Sequence, residues 1–148
     1  MYQRDNGAYR GVGERNMKRK SELAVLKKKL WELCKQITRA RYGNACYTCG
    51  ARNLEGSGWQ TGHFITDSVC STALSYDLDN LRPQCYSCNI HRSGNWIAFE
   101  KNLTRDHGKK WVENLKKRNE ATVGLKYDIL WYRKKVAEYE RVLSGLEP

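Results

Sequence analysis

No stretch of this chain approaches the roughly 18–20 consecutive apolar residues of a membrane-spanning helix, and its N-terminus lacks the apolar core of a secretory signal. Both absences predict a soluble, cytoplasmic protein with no membrane partner. Acidic residues are in short supply: 16 Asp and Glu stand against 27 Lys and Arg, giving a formal net charge of +11 and a pI near 9.5. That excess implies a polyanionic partner, and nucleic acid is the obvious one. Histidine is scarcer still, with three in the chain, so imidazole chemistry has only His63, His91 and His107 to draw on. The 148 residues suit one domain, and 40% hydrophobic content makes a modest core that a metal staple would supplement.

Cysteine, by contrast, is present in a pattern. Cys46-Tyr47-Thr48-Cys49 and Cys85-Tyr86-Ser87-Cys88 form two C-x2-C pairs with 35 intervening residues. Each pair makes a knuckle presenting two thiolates to one ion, so the four together predict a tetrahedral zinc site rather than two disulfides. Four thiolates close the coordination shell and leave no position for water or substrate. The expected zinc is therefore structural, and chemistry has to come from what the knuckles frame. Cys34 and Cys70 have no evident partners, as a reducing compartment allows, and read as small core residues.

Between and after the knuckles stand Gly62-His63-Phe64-Ile65, Asn80-Leu81-Arg82-Pro83-Gln84 and Cys88-Asn89-Ile90-His91-Arg92-Ser93-Gly94-Asn95. This run resembles the zinc-bearing HNH (His-Me finger) nucleases, and more narrowly the phage lambda NinG/Rap family of recombination endonucleases. The resemblance covers roughly residues 44 to 118. It implies an α+β fold: a zinc-stapled ββα-metal core, here flanked by long N- and C-terminal amphipathic helices. It also implies that His63 is the general base, that Asn80 braces the loop holding the base, and that Asn89 binds one catalytic divalent cation.

The chemistry fits those roles. A neutral imidazole takes a proton from water near pH 7. A hard cation such as magnesium or manganese accepts an Asn carbonyl together with phosphate and water. Many HNH nucleases place an Asp directly before the base, whereas this chain, like the lambda-type branch, has Gly62. His91, Asp77 and Asp79 are the nearby candidates to supplement Asn89, with His91 the candidate catalytic group among them. His107 reads as a surface residue.

The chain divides into a flexible basic arm, residues 1–16, and a single endonuclease domain, residues 17–148. Within the domain, residues 17–42 form a helix, 44–95 the zinc and ββα core, and 96–148 a helical C-terminal part. The first helix is predicted because Leu23, Leu26, Leu30, Leu33 and Ile37 step by three and four along one seam. Trp59–Ile65 reads as the strand carrying the base, with weaker alternation over Tyr76–Leu81 for a second strand that Pro83 would limit. A short helix over Cys85–Arg92 would carry Asn89. Helices at 96–106 and 109–118 read as packing elements, with Trp96 in the core.

The last helix is expected over Val123–Leu146, on the seam Leu125, Ile129, Tyr132, Val136, Tyr139, Leu143 and Leu146. The two terminal seams either pack together within one chain or form a homodimer interface, and their spacing fits both.

The reading is a metal-dependent DNA endonuclease with structural Zn2+ and catalytic Mg2+ or Mn2+. By the resemblance, it would act on branched recombination intermediates such as Holliday junctions or D-loops. Lys27, Lys28, Arg82, Arg92, Lys109 and Lys110 are the expected DNA contacts. Two alternatives are a sequence-preferring HNH nicking, homing or restriction-type endonuclease, and a zinc-dependent DNA-binding module without catalysis.

Overall fold

The computed structural model describes residues 7–146, with side chains from residue 13 onward. Helix α1 spans Gly7–Tyr42, about 54 Å at 1.5 Å per residue. It ends because Gly43 turns left-handed (φ +70°), its amide closing on the Arg39 carbonyl at 2.8 Å. Of the basic arm expected over residues 1–16, residues 7–16 continue α1, and residues 1–6 lie outside the described part. The seam reading missed this stretch because residues 13–20 are exposed and bury no apolar face.

The seam itself is buried. Leu30, Leu33, Cys34 and Ile37 pack with Leu81 and with Tyr132, Val136 and Tyr139 of helix α5 (Ile129–Ser144). The two terminal seams thus face each other within one chain. Their directions agree, since Glu22 pairs with Arg133 and Lys29 with Glu140 seven residues further along each helix. Burial pushes the Cys34 thiol up to about 12, as befits an inert core residue. Helix α5 starts later than the seam predicts. The Asp128 carboxylate caps it by accepting from the Trp131 amide at 3.0 Å, and Leu125 lies exposed before the cap.

A second cluster joins helices α3 (Trp96–His107) and α4 (Lys109–Thr122) to the centre. Phe99, Leu103, Val112 and Leu115 enclose Phe64 and Leu74, the latter from the four-residue helix α2 (Thr72–Ser75). Trp96 does not share this core: it is 56% exposed, because α3 turns Phe99 and Leu103 inward instead.

Between the clusters lies a two-stranded antiparallel sheet, β1 (Trp59–His63) against β2 (Leu81–Cys85), with His63 opposite Leu81. The second strand therefore includes Pro83 instead of stopping before it. Pro83 directs its carbonyl away from β1 to the Tyr47 amide at 2.8 Å, so its missing N–H costs no bond between the strands. After β2 the chain makes one wide helical turn, Ser87–His91, closed by an i to i+5 bond from the Arg92 amide to the Ser87 carbonyl at 2.9 Å. The described residues form a mixed helical fold with one small sheet. No described helix is long and apolar enough to cross a membrane.

Arg82 is misplaced by the sequence reading. It is 1% exposed, donates to the carbonyls of Leu78, Asp79 and Leu81, and lies over the rings of Tyr42 and Tyr47. A guanidinium so enclosed cannot reach a phosphate. Arg82→Ala is expected to cost on the order of 3 kcal/mol, because it strands several buried carbonyls. Urea unfolding measures this; a midpoint equal to the parent's would contradict the assignment.

Candidate functional site

Four thiols converge between the first knuckle and the start of the wide turn. The sulfurs of Cys46, Cys49, Cys85 and Cys88 all lie within 4.8 Å of one another, with Cys49 and Cys85 3.8 Å apart. Tetrahedral zinc with bonds of about 2.3 Å places its sulfurs about 3.8 Å apart, so the four residues fit one zinc ion. The surroundings are those of a thiolate cage. The Cys88 amide and the Asn95 side-chain amide each donate to a ligand sulfur at 3.4 Å, and Thr48 Oγ1 lies 3.2 Å from Cys46 Sγ. Burial pushes the Cys46 thiol up, but the Thr48 hydroxyl and neighbouring backbone groups outweigh it and bring the thiol down to about 6. Burial raises Cys49 to about 12, and a bound cation would supply the charge needed to ionise it.

The cluster positions what lies beside it. Fully buried Gln84 donates to Thr48 Oγ1 at 3.2 Å and to the Gly94 carbonyl at 2.7 Å, tying the first knuckle to the loop after the wide turn. Gly62 makes room for it: a Cβ there would sit 1.9 Å from Gln84 Oε1. The glycine before His63 therefore has a packing reason. Gly62→Asp is expected to destabilise the fold by about 1–3 kcal/mol without creating a metal site. Urea unfolding together with metal titration would show otherwise if stability held or manganese affinity rose.

His63 ends β1 and is largely buried. Its Nε2 lies 2.9 Å from the Ser75 carbonyl oxygen, so that nitrogen is the donor, and in a neutral ring Nδ1 carries the lone pair. Trp31 of α1 stacks flat on the imidazole, with centroids 5.3 Å apart and planes 5° apart. Asn80, fully buried, clamps the loop that follows. Its side chain accepts from the Ile65 amide at 2.8 Å and donates to the carbonyls of Ile65 and Leu74 at 3.1 and 3.2 Å. The Leu74 contact fixes the residue next to the carbonyl that holds the histidine.

Two clefts meet at His63, both walled by Trp31 and Asp67. One, of about 460 Å3, also brings in Asn89, Thr61, Thr66 and Ser68. Asn89 donates its amide to Gln60 Oε1 at 2.8 Å, which leaves its carbonyl oxygen free of that bond. Thr61 Oγ1 is buried without a hydrogen-bond partner in the same wall. The other cleft, of about 390 Å3, opens towards Lys27, Tyr76 and Tyr132.

The fold brings His63 and Asn89 together, with Asn80 behind them, and leaves other candidates outside. His91 is exposed and packs edge-on against Tyr86, away from either cleft. Asp77 and Asp79 pair with Arg118 at 3.3 and 2.8 Å, so neither is free to supplement Asn89. His107 accepts from the Arg82 guanidinium at 3.1 Å and stacks on Trp111.

Two residues at the site escaped the sequence reading. Asp67 places a carboxylate oxygen 3.9 Å from His63 Nε2 and accepts from the Ser75 hydroxyl at 3.1 Å. Trp31 gave one signal: Lys27, Trp31, Lys35 and Arg39 recur every four residues, and this stripe of α1 lines the clefts or the groove continuing from them. Lys28 and Arg92 are exposed, as are Lys109 and Lys110, which open α4 beyond the clefts.

These features define a class: an α+β protein in which a four-thiol knuckle pair, able to hold zinc, frames a His- and Asn-lined cleft. The chain belongs to the family described as NinG, Bacteriophage Lambda NinG protein, whose family model matches residues 3–147. It is 31% identical over 70 residues to protein ninG of Escherichia phage 933W, covering 47% of this chain and 33% of that protein. The corresponding protein of Escherichia phage lambda is 30% identical over 70 residues, with the same coverage. That of Salmonella phage P22 is 35% identical over 54 residues, covering 36% of this chain and 25% of the relative. The alignments thus span a third or less of the curated relatives' length. No solved structure matches.

Proposed function

We propose that this chain is a metal-dependent DNA endonuclease of the HNH type, acting on branched recombination intermediates such as four-way junctions and D-loops. The observation that carries the reading is the His63 geometry: a ring held by the Ser75 carbonyl, its lone pair left on Nδ1, in one cleft with Asn89 and Asp67. In this reading His63 Nδ1 takes a proton from the attacking water. Trp31 holds the ring plane, and Asn80 fixes the loop that supplies the Ser75 acceptor.

The Asn89 carbonyl and the Asp67 carboxylate would hold a magnesium or manganese ion, for which oxygen donors are the suitable set. The unpartnered Thr61 hydroxyl offers a further oxygen or a bond to a metal-bound water. When bound, the ion supplies positive charge to the phosphate and the leaving oxygen. Zinc in the four-thiol cage would hold the wide turn, and Asn89 with it, in register with β1. The stripe Lys27, Lys35 and Arg39 beside the clefts supports a phosphate track, which makes binding fall steeply with salt.

The test is cleavage of a labelled four-way junction beside a matched linear duplex, with magnesium or manganese against EDTA. Metal-dependent cutting confined to the junction is the expected result. Equal cutting of both keeps the hydrolytic chemistry and removes the branch preference. Binding without cutting of either overturns the enzyme assignment.

A further inference from the structure

The cleft on the Lys27 side of His63 shares the histidine and Asp67 with the Asn89 cleft, but its Thr72, Tyr76 and Tyr132 wall has no part in the chemistry above. We propose that it is a subsite for one unpaired nucleotide, the neighbour of the phosphate under attack; this rests on the nuclease reading.

Its walls differ from those of the Asn89 cleft. Half-buried Trp31 and Tyr76 supply aromatic surface with the buried Tyr132 behind them, Thr72 and Ser75 supply hydroxyl groups, and Lys27 places an ammonium 5.5 Å from the Tyr132 ring centre. The aromatic wall is rigid. Tyr76 meets Tyr132 edge-on at 6.0 Å, and the buried Tyr139 hydroxyl donates to the Tyr76 carbonyl at 2.6 Å. Aromatic faces for a base, polar groups for its edge and a cation for the adjoining phosphate are the parts that single-stranded nucleotide sites combine.

A volume of about 390 Å3 admits one small ligand and no duplex. A base inside a continuous helix is paired and stacked on both faces, so it can enter only after leaving the stack, at a cost of a few kcal/mol. A nucleotide already unpaired avoids that cost. The feature recognised is therefore a single unstacked nucleotide beside the scissile phosphate, and a linear duplex with a one-nucleotide bulge would supply it without any branch.

The test uses the full chain and a linear duplex carrying 2-aminopurine as a one-nucleotide bulge. Fluorescence is read in EDTA and cleavage in manganese, beside the fully paired duplex and the same bulge with an abasic residue. Quenching on binding is expected, with the bulged strand cut at least about ten-fold faster than the paired or abasic one. Thr72→Tyr, which fills the cleft from its half-buried wall, should remove both the quench and the preference, its circular dichroism and zinc content certifying the fold. His63-dependent cutting of all three duplexes at one rate, or a quench that survives in Thr72→Tyr, would overturn the subsite and leave the nuclease reading in place. A quench with no cutting of any substrate, the junction included, would retain the cleft as a nucleotide site and overturn the nuclease reading.

Discussion

His63→Ala is expected to slow phosphodiester cleavage by about 10²–10⁴-fold, the usual contribution of a positioned general base, while leaving zinc content and DNA binding at the parent's level. The expectation follows from how the ring is held. Its Nε2 proton is committed to the Ser75 carbonyl, so only Nδ1 is available to accept a proton from water. The ring is also stacked on Trp31, and losing that contact should cost about 0.5–1.5 kcal/mol. A domain of this size tolerates such a loss, because typical stabilities are about 5–15 kcal/mol. Single-turnover cleavage with manganese, thermal unfolding and a gel-shift assay would be measured on one preparation. A variant that cuts as fast as the parent would remove His63 from the chemistry. A variant that fails to fold would instead give the histidine a structural role.

Much of the frame is legible from residue spacing. The leucine seam of α1 repeats at helical period because it packs against α5, and the cysteine pairs announce their shared site because two ligands of one ion must be close in sequence or in space. Asn89 is singled out by the family resemblance alone, and its place next to Cys88 in the wide turn is what sets it on the cleft wall. Other parts depend on tertiary partners that spacing does not encode. Arg82 stands beside the cleft residues in sequence and reads as a phosphate contact; it is buried because three carbonyls and two aromatic rings happen to surround it. Asp67 lies in a stretch without periodicity, and the closure of that loop by Asn80 together with the Ser75 hydroxyl bond brings it to His63. Trp31 sits one position from the buried seam, and its stacking on the imidazole follows from the placement of β1 against α1. The start of α5 carried a usable signal, Asp128 just before Ile129, which the apolar Leu125 obscured by extending the seam backwards.

Cys46→Ser is expected to abolish zinc binding and, with it, cooperative folding of residues 44–95. Metal-binding free energy in structural zinc sites is folding free energy, with apparent values of about 10–16 kcal/mol in zinc-finger peptides. That is as large as the whole stability of an ordinary domain. The secondary structure here gives the knuckles little else to stand on: the sheet has two strands of five residues, and the turn that carries Asn89 is a single wide one. Gln84 adds leverage, because its bonds to Thr48 and Gly94 link the first knuckle to the loop after the second. Releasing the sulfurs therefore loosens Asn89 relative to His63, even though no cysteine touches the cleft. The α1–α5 pair should persist longest, since its core takes in only Leu81 from the sheet. Far-UV circular dichroism would then retain helix while thermal unfolding loses its main transition, and elemental analysis would find no zinc. A strong chelator acting on the parent should reproduce this, whereas a thiol reductant alone should not, because all six cysteines are free. A Cys46→Ser protein that stays folded and cuts DNA without zinc would sink the structural-zinc assignment. Unfolding by reductant in place of chelator would replace zinc with disulfides.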